Sequence, residues 1–178
     1  MKRSELAHVL RAASTITDDP RILVIGSQAI LGSFGESELP EAAIRSVEVD
    51  VAFFDDPHEA KSDAVDGAIG ELASFHETHG FYAQGVAVST AVFPIGWEER
   101  VVPFDDPESE PSCAVCLEPH DLVVSKLVAG REKDFVFARA LVEAGFVDVA
   151  ELEARAGLLP VIPAVRRCVI ERLPGRSR

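Results

Sequence analysis

Residues 46–54 read SVEVDVAFF, a run in which valine alternates with acidic residues before apolar residues close it. A period of two fits an extended strand and no helix, because successive side chains of a strand point to opposite faces. Val47, Val49 and Val51 therefore share one face, and Glu48 and Asp50 share the other. The chain must fold around a strand that buries one side and holds two acids together on the reverse. Neighbouring carboxylates repel, and a site that keeps them together usually has a cation to relieve the repulsion.

Other elements arrange themselves around this strand. Upstream, residues 21–25 (RILVI) predict a short apolar strand, Gly26-Ser27 turns the chain, and residues 28–34 (QAILGSF) predict the start of a helix. Residues 3–14 carry apolar residues at helical spacing with Ser4 as the cap, although Ala7 stands where a capping box needs an acid or amide. Residues 59–75 predict a helix that HETHG (76–80) ends. FYAQGV (81–86) and WEERVVPF (97–104) predict strands, followed by helices near 120–129, 132–145, 148–156 and 163–172. Mixed strands and helices, with helices concentrated at the end, predict an α/β core over 1–118 and a helical region packed on it over 119–178.

Composition narrows the function classes. A chain of 178 residues, 47% of them hydrophobic, has enough apolar side chains to bury a core. With 30 acidic against 17 basic residues, a net charge of -13 argues against wrapping a long nucleic-acid duplex, because that takes many cations to displace counterions. It does not exclude a local contact with nucleic acid. Cys113, Cys116 and Cys168 form no even disulfide framework, and neither a signal peptide nor an apolar run of membrane-spanning length is read. A soluble, reduced, cytoplasmic protein is expected. Cys113-Ala-Val-Cys116 has the spacing of half a zinc site or a redox pair, but no second CxxC or histidine pair completes it, and it is read as packing in a short strand.

A strand that ends in Gly-Ser and runs straight into a helix presents backbone N–H groups and a hydroxyl to an anion. Gly26 and Ser27 thus read as a phosphate seat. If the next strand runs alongside, Glu48 and Asp50 could hold Mg²⁺, which is commonly bound by one or two carboxylates plus substrate phosphates. These pieces fit nucleoside triphosphate chemistry. The alternative on the same residues is a serine-stabilised turn beside a solvent-facing strand edge.

VIGS (24–27), a spacer and EVDV (48–51) together resemble the nucleotidyltransferase superfamily signature, a Gly-Ser followed by an acidic-x-acidic strand. Residues 75–104 and EPHDLVVSKLVAGREKDFVFARAL (118–141) look like small bacterial nucleotidyltransferases related to the abortive-infection AbiEii toxins and the mycobacterial MenT tRNA-modifying toxins. The resemblance covers roughly residues 20–145. It implies a minimal polymerase-β-like palm, Mg²⁺ and transfer of a nucleoside monophosphate from a nucleoside triphosphate; it does not fix the acceptor, for which tRNA or a protein is considered, and an antitoxin or regulatory protein is a candidate partner. The superfamily's first carboxylate is usually aspartate; here it is Glu48, whose extra methylene moves the oxygen outward by about an ångström. A third carboxylate is expected on a later strand, with Glu98 and Glu99 as candidates.

The resemblance also gives Lys126, in HDLVVSKLVAGREKD (120–134), contact with the triphosphate, with Arg131 and Lys133 nearby and Asp134 orienting one of them. The bland reading is an amphipathic helix whose Lys126 snorkels to solvent, followed by a charged turn. Glu77 in HETHG is a further candidate at the site's border, while the segment otherwise reads as a polar helix end. His8, His58 and His120 read as surface residues, and Trp97 as core packing against the sheet. Two functions stand against each other: a Mg²⁺-dependent nucleotidyltransferase, and a catalytically degenerate module that binds nucleotide or a partner protein.

Overall fold

The computed structural model describes residues 1–175. Its centre is a mixed five-stranded sheet of order β3-β2-β1-β5-β4. The strands are β1 (Ile22–Val24), β2 (Glu48–Phe53), β3 (Tyr82–Gly85), β4 (Val102–Pro103) and β5 (Val115–Cys116). β1 runs antiparallel to β2 with Val24 opposite Val51, and parallel to β5 with Val24 opposite Cys116. β3 runs parallel to β2 on its other side. Helices flank the sheet, and the α/β class predicted from the sequence is the one observed.

The helices are α1 (Arg3–Thr17), α2 (Glu41–Ile44), α3 (Ala60–Ile69), α4 (Ser74–His79), α5 (Pro119–Ala129), α6 (Glu132–Glu143), α7 (Val149–Gly157) and α8 (Pro163–Glu171). In α1, Leu6, Val9, Leu10 and Ala13 recur at helical spacing and all are buried. α1 packs on α3, and α3 lies against β2 and β3. α5 is almost wholly buried; it packs on α6, α7, α8 and the 3₁₀ helix Ser27–Gly32. Buried apolar residues from Leu6 to Leu173 form one contiguous cluster. Among the described residues, no helix is long and apolar enough to cross a membrane.

Several local expectations fail for identifiable reasons. α1 begins one residue before Ser4, and the free N–H of Lys2 is met by Glu5 Oε2 at 2.7 Å, so Ser4 caps nothing. The segment after Gly26 winds as a 3₁₀ helix, tighter than the α-helix expected. The helix read over 59–75 breaks at Gly70, which turns extended; Leu72 then takes φ 65° and lies 81% exposed before α4 begins. In WEERVVPF only Val102 and Pro103 reach the sheet. Trp97–Glu99 form a 3₁₀ turn after Gly96 (φ 81°), and the Arg100 side chain is drawn away to Asp121. His8 is half-buried rather than free on the surface, since it packs against Phe75, His79 and Phe81. His120 is held at both nitrogens, by Glu118 Oε1 at 2.6 Å and Asp148 N at 3.0 Å.

A buried carboxylate ties the C-terminal helices to the loop before β4. Asp121 is 0% exposed and receives Arg100 through Nε at 2.7 Å and a second nitrogen at 3.1 Å. Arg155 of α7 reaches the same carboxylate at 3.2 Å. Glu118 caps α5 by accepting from His120 N and Asp121 N. Removing one partner from such a cluster strands buried charge, which costs about 3–5 kcal/mol. Asp121→Ala is therefore expected to lower unfolding stability by about 3 kcal/mol in urea melts; a loss under about 0.5 kcal/mol, the level of an ordinary surface change, would show that the cluster holds nothing together.

Candidate active site

The antiparallel pairing of β1 and β2 sets the turn after β1 against the acidic face of β2. Ile25 N donates to Asp50 O at 3.1 Å. A Cβ on residue 26 would sit 1.7 Å from Asp50 Oδ2, so the position admits only glycine. The constraint is close approach rather than an unusual dihedral, since Gly26 has an extended backbone. Ser27 follows at the head of the six-residue 3₁₀ helix, whose short length gives it a smaller axial dipole than the predicted α-helix would have had.

Glu48 and Asp50 emerge together, as the alternation requires. Burial, and then the charge of Glu48, push the Asp50 carboxyl up to about 6, while Lys126 pulls it back. Glu48 is held from the other side: Tyr82 donates its phenol to Glu48 Oε2 at 2.8 Å. Burial and this contact raise the Tyr82 phenol well above its ordinary range, so it stays a neutral donor.

Lys126 does not snorkel. It is 7% exposed, lies 5.0 Å from the centre of the Phe137 ring, and sets Nζ 3.3 Å from Asp134 Oδ1. Burial lowers its pKa against the pull of Asp134 and Asp50. For Asp134, burial acts to raise the pKa, but the hydrogen bond from Arg131 and the charge of Lys126 outweigh it and hold the carboxyl below its ordinary value. The two shifts conflict, one weakening and one strengthening the charged pair. The Arg131 contact resolves them: Arg131 Nε donates to Asp134 Oδ2 at 2.7 Å, so Asp134 keeps its charge whether or not Lys126 does. Asp134 also accepts from Arg131 N and so closes the first turn of α6.

Two hollows flank the carboxylates. One, of ≈ 320 Å³, is lined by Gly26, Asp50, Ser125, Lys126 and Arg131 among others. The other, of ≈ 590 Å³, is lined by Ser27, Arg45, Glu48, Tyr82, Lys133 and Phe137 among others. The predicted site residues are thus divided: Gly26, Asp50, Lys126 and Arg131 face one hollow, while Ser27, Glu48 and Lys133 face the other, together with Asp134.

The remaining acidic candidates stand apart. Glu77 is exposed on α4. Glu98 and Glu99 line a separate hollow with Phe93, Ile95 and Trp97. Beside β2, the β3 register places Tyr82 opposite Glu48 and Gln84 opposite Asp50, so a phenol and an amide occupy the adjoining positions. Tyr82 and Arg45 are site residues that the sequence reading missed. For Tyr82 the signal was present in FYAQGV, where strand alternation sets Tyr82 and Gln84 on one face. Among the described residues no group of three or more His, Cys, Asp or Glu could hold a metal. The donor set is two hard carboxylate oxygens under mutual repulsion, which suits a divalent cation that completes its shell with water and phosphate.

Comparison with known proteins agrees with this geometry at the level of the family. No curated protein and no solved structure matches the chain. A family model described as "Nucleotidyltransferase of unknown function (DUF6036)" matches residues 4–158. The match takes in the Gly-Ser turn, the carboxylate strand and the Lys126 helix, and the chain belongs to that nucleotidyltransferase family.

Proposed function

We propose that this chain is a Mg²⁺-dependent nucleotidyltransferase that moves a nucleoside monophosphate from a nucleoside triphosphate to a hydroxyl acceptor. The observation that carries the reading is Asp50 lodged against Gly26, with Lys126 facing the same hollow. Glu48 and Asp50 would hold the ion, which when bound neutralises phosphate charge and aligns the attacking oxygen. Gly26 lets the Asp50 carboxylate lie against the turn, and the Ser27 hydroxyl beside it offers a phosphate a hydrogen bond. Lys126 brings a positive charge to the same point, kept in place by Asp134; Arg131 adds a second at the rim. The acceptor hydroxyl gives its proton to solvent and its oxygen bonds to the α-phosphorus as the bond to the pyrophosphate oxygen breaks and pyrophosphate leaves. Lys133 and Arg45 line the hollow on the Glu48 side.

The resemblance to the toxin-type enzymes makes the 3′ end of tRNA the first acceptor to test, with a protein hydroxyl second. On that reading the protein works in the cytoplasm, under an antitoxin or another regulatory protein. The rival reading is a degenerate nucleotide- or partner-binding module. It is favoured by Glu48 in place of aspartate, and by Glu98 and Glu99, the candidates for a third carboxylate, standing apart in a separate hollow while Tyr82 and Gln84 occupy the strand beside β2. Incubating the protein with each labelled triphosphate, Mg²⁺ and total cellular RNA or protein separates the two: transfer of label supports the enzyme, and its absence with every acceptor supports the module.

Asp50→Ala is expected to abolish label transfer and the thermal stabilisation that Mg²⁺ with triphosphate gives the wild type, without unfolding the chain, because it also removes the carboxylate repulsion. Unchanged stabilisation would refute the metal assignment. Lys126→Met should weaken triphosphate binding by about 1.5–3 kcal/mol, at least tenfold in Kd, with the loss shrinking at high salt. A titration showing wild-type affinity at low ionic strength would remove Lys126 from the site. Its burial adds a stability cost of about 1–3 kcal/mol, since Asp134 loses one of its two cationic partners.

The Asp50 carboxyl, raised to about 6 in the fold, favours the folded state most below its ordinary 3.8, and that contribution is lost as pH rises through 6. Asp50→Asn removes the effect. Without metal, the substitution should therefore be more favourable near pH 7.5 than near pH 4, by on the order of 2 kcal/mol. Parallel urea melts at the two pH values check this, and equal effects at both would contradict the raised pKa.

A further inference from the structure

Tyr82 stands where no role has been given to it. It begins β3 directly opposite Glu48 in the parallel register, and its phenol donates to Glu48 Oε2 at 2.8 Å. Its ring is held in turn: His76 lies 4.6 Å away, and the His76 ring is fixed by accepting from Leu72 N at 3.1 Å. Glu48 is the longer of the two acids and carries one more rotatable bond than aspartate. An unrestrained glutamate would spread over several rotamers and lose entropy on meeting a cation. With one oxygen engaged by Tyr82, the carboxylate is restrained beside Asp50.

We infer that Tyr82 is a positioning residue for Glu48, fixing the longer side chain so that Glu48 and Asp50 together present a defined pair of oxygens to a divalent cation. The inference rests on the proposal that these two carboxylates hold the metal. Tyr82 acts through Glu48, to which its phenol is bonded. A glutamate in this place works because a phenol on the adjoining strand restrains it, in the way that hydrogen-bonded neighbours orient the ligands of other metal sites.

The test is a double-mutant cycle on the full chain, read by Mn²⁺ binding alone, through the loss of the free-ion electron paramagnetic signal, with no turnover involved. Tyr82→Phe keeps the ring against His76 and removes only the hydroxyl. In the wild-type background it should weaken Mn²⁺ binding about tenfold, the low end of the range for loss of a partner that orients a ligand. In the Glu48→Asp background, where the shortened carboxylate no longer reaches the phenol, the same change should alter binding less than about twofold. Wild-type Mn²⁺ affinity in Tyr82→Phe overturns the inference and leaves the metal reading intact. Equal weakening in both backgrounds also overturns it, since Tyr82 would then be acting on the strand as a whole. A wild-type chain in which Mn²⁺ binding does not depend on Asp50 would overturn the metal reading and this inference with it.

Discussion

A carboxylate that is ionised away from bulk water must have its charge answered nearby, and Asp50 sets that requirement for the whole site. Burial and Glu48 both act to keep it protonated, whereas Lys126 favours its charge. Lys126 can face Asp50 because α5 is buried among α6, α7, α8 and the 3₁₀ helix after β1 through a nearly continuous apolar surface of Leu122, Val123, Val124 and Leu127. Asp134 and Arg131 then keep Lys126 from being an isolated buried cation. The turn at Gly26, strand β2 and the start of α6 are thereby joined through one electrostatic problem, which they solve only in part. On the proposed reading, the unsolved part is what a positive ion would answer.

A second buried carboxylate does a different job. Asp121 is fully compensated by Arg100 and Arg155, one from the loop before β4 and one from α7. Nothing is left over for a ligand, and the cluster reads as a structural joint. Asp50 and Asp121 are both acids brought out of water by the same fold. What separates a candidate site from a joint is whether the surrounding cations answer the charge completely.

The charge of the whole chain is a poor guide to the charge at the site. At -13 the protein repels polyanions at a distance, yet Lys126, Arg131, Arg45 and Lys133 gather on the two hollows beside the carboxylates. Screening over about 8–10 Å at physiological salt lets such a local group act independently of the distant acids. A phosphate arriving at the turn would meet cations on both sides, while an extended duplex would meet mostly like charge.

The sequence by itself determined what depends on neighbours along the chain. The alternation of SVEVDVAFF fixed β2 and the common face of Glu48 and Asp50. The Gly-Ser turn and the four C-terminal helices were legible for the same reason. The tertiary structure decided whatever depends on residues far apart in sequence. It paired β3 with β2, and so gave Glu48 a phenol from thirty-four residues away. It buried Lys126, which helical periodicity alone had left free to reach solvent. It drew Arg100 to Asp121 and so turned an expected strand into a 3₁₀ turn with a two-residue strand behind it. Strand and helix patterns arise from short-range sterics and amphipathicity, which a local window contains. Hydrogen bonds and ion pairs across elements form only when packing has brought their partners together, and no window along the chain records that.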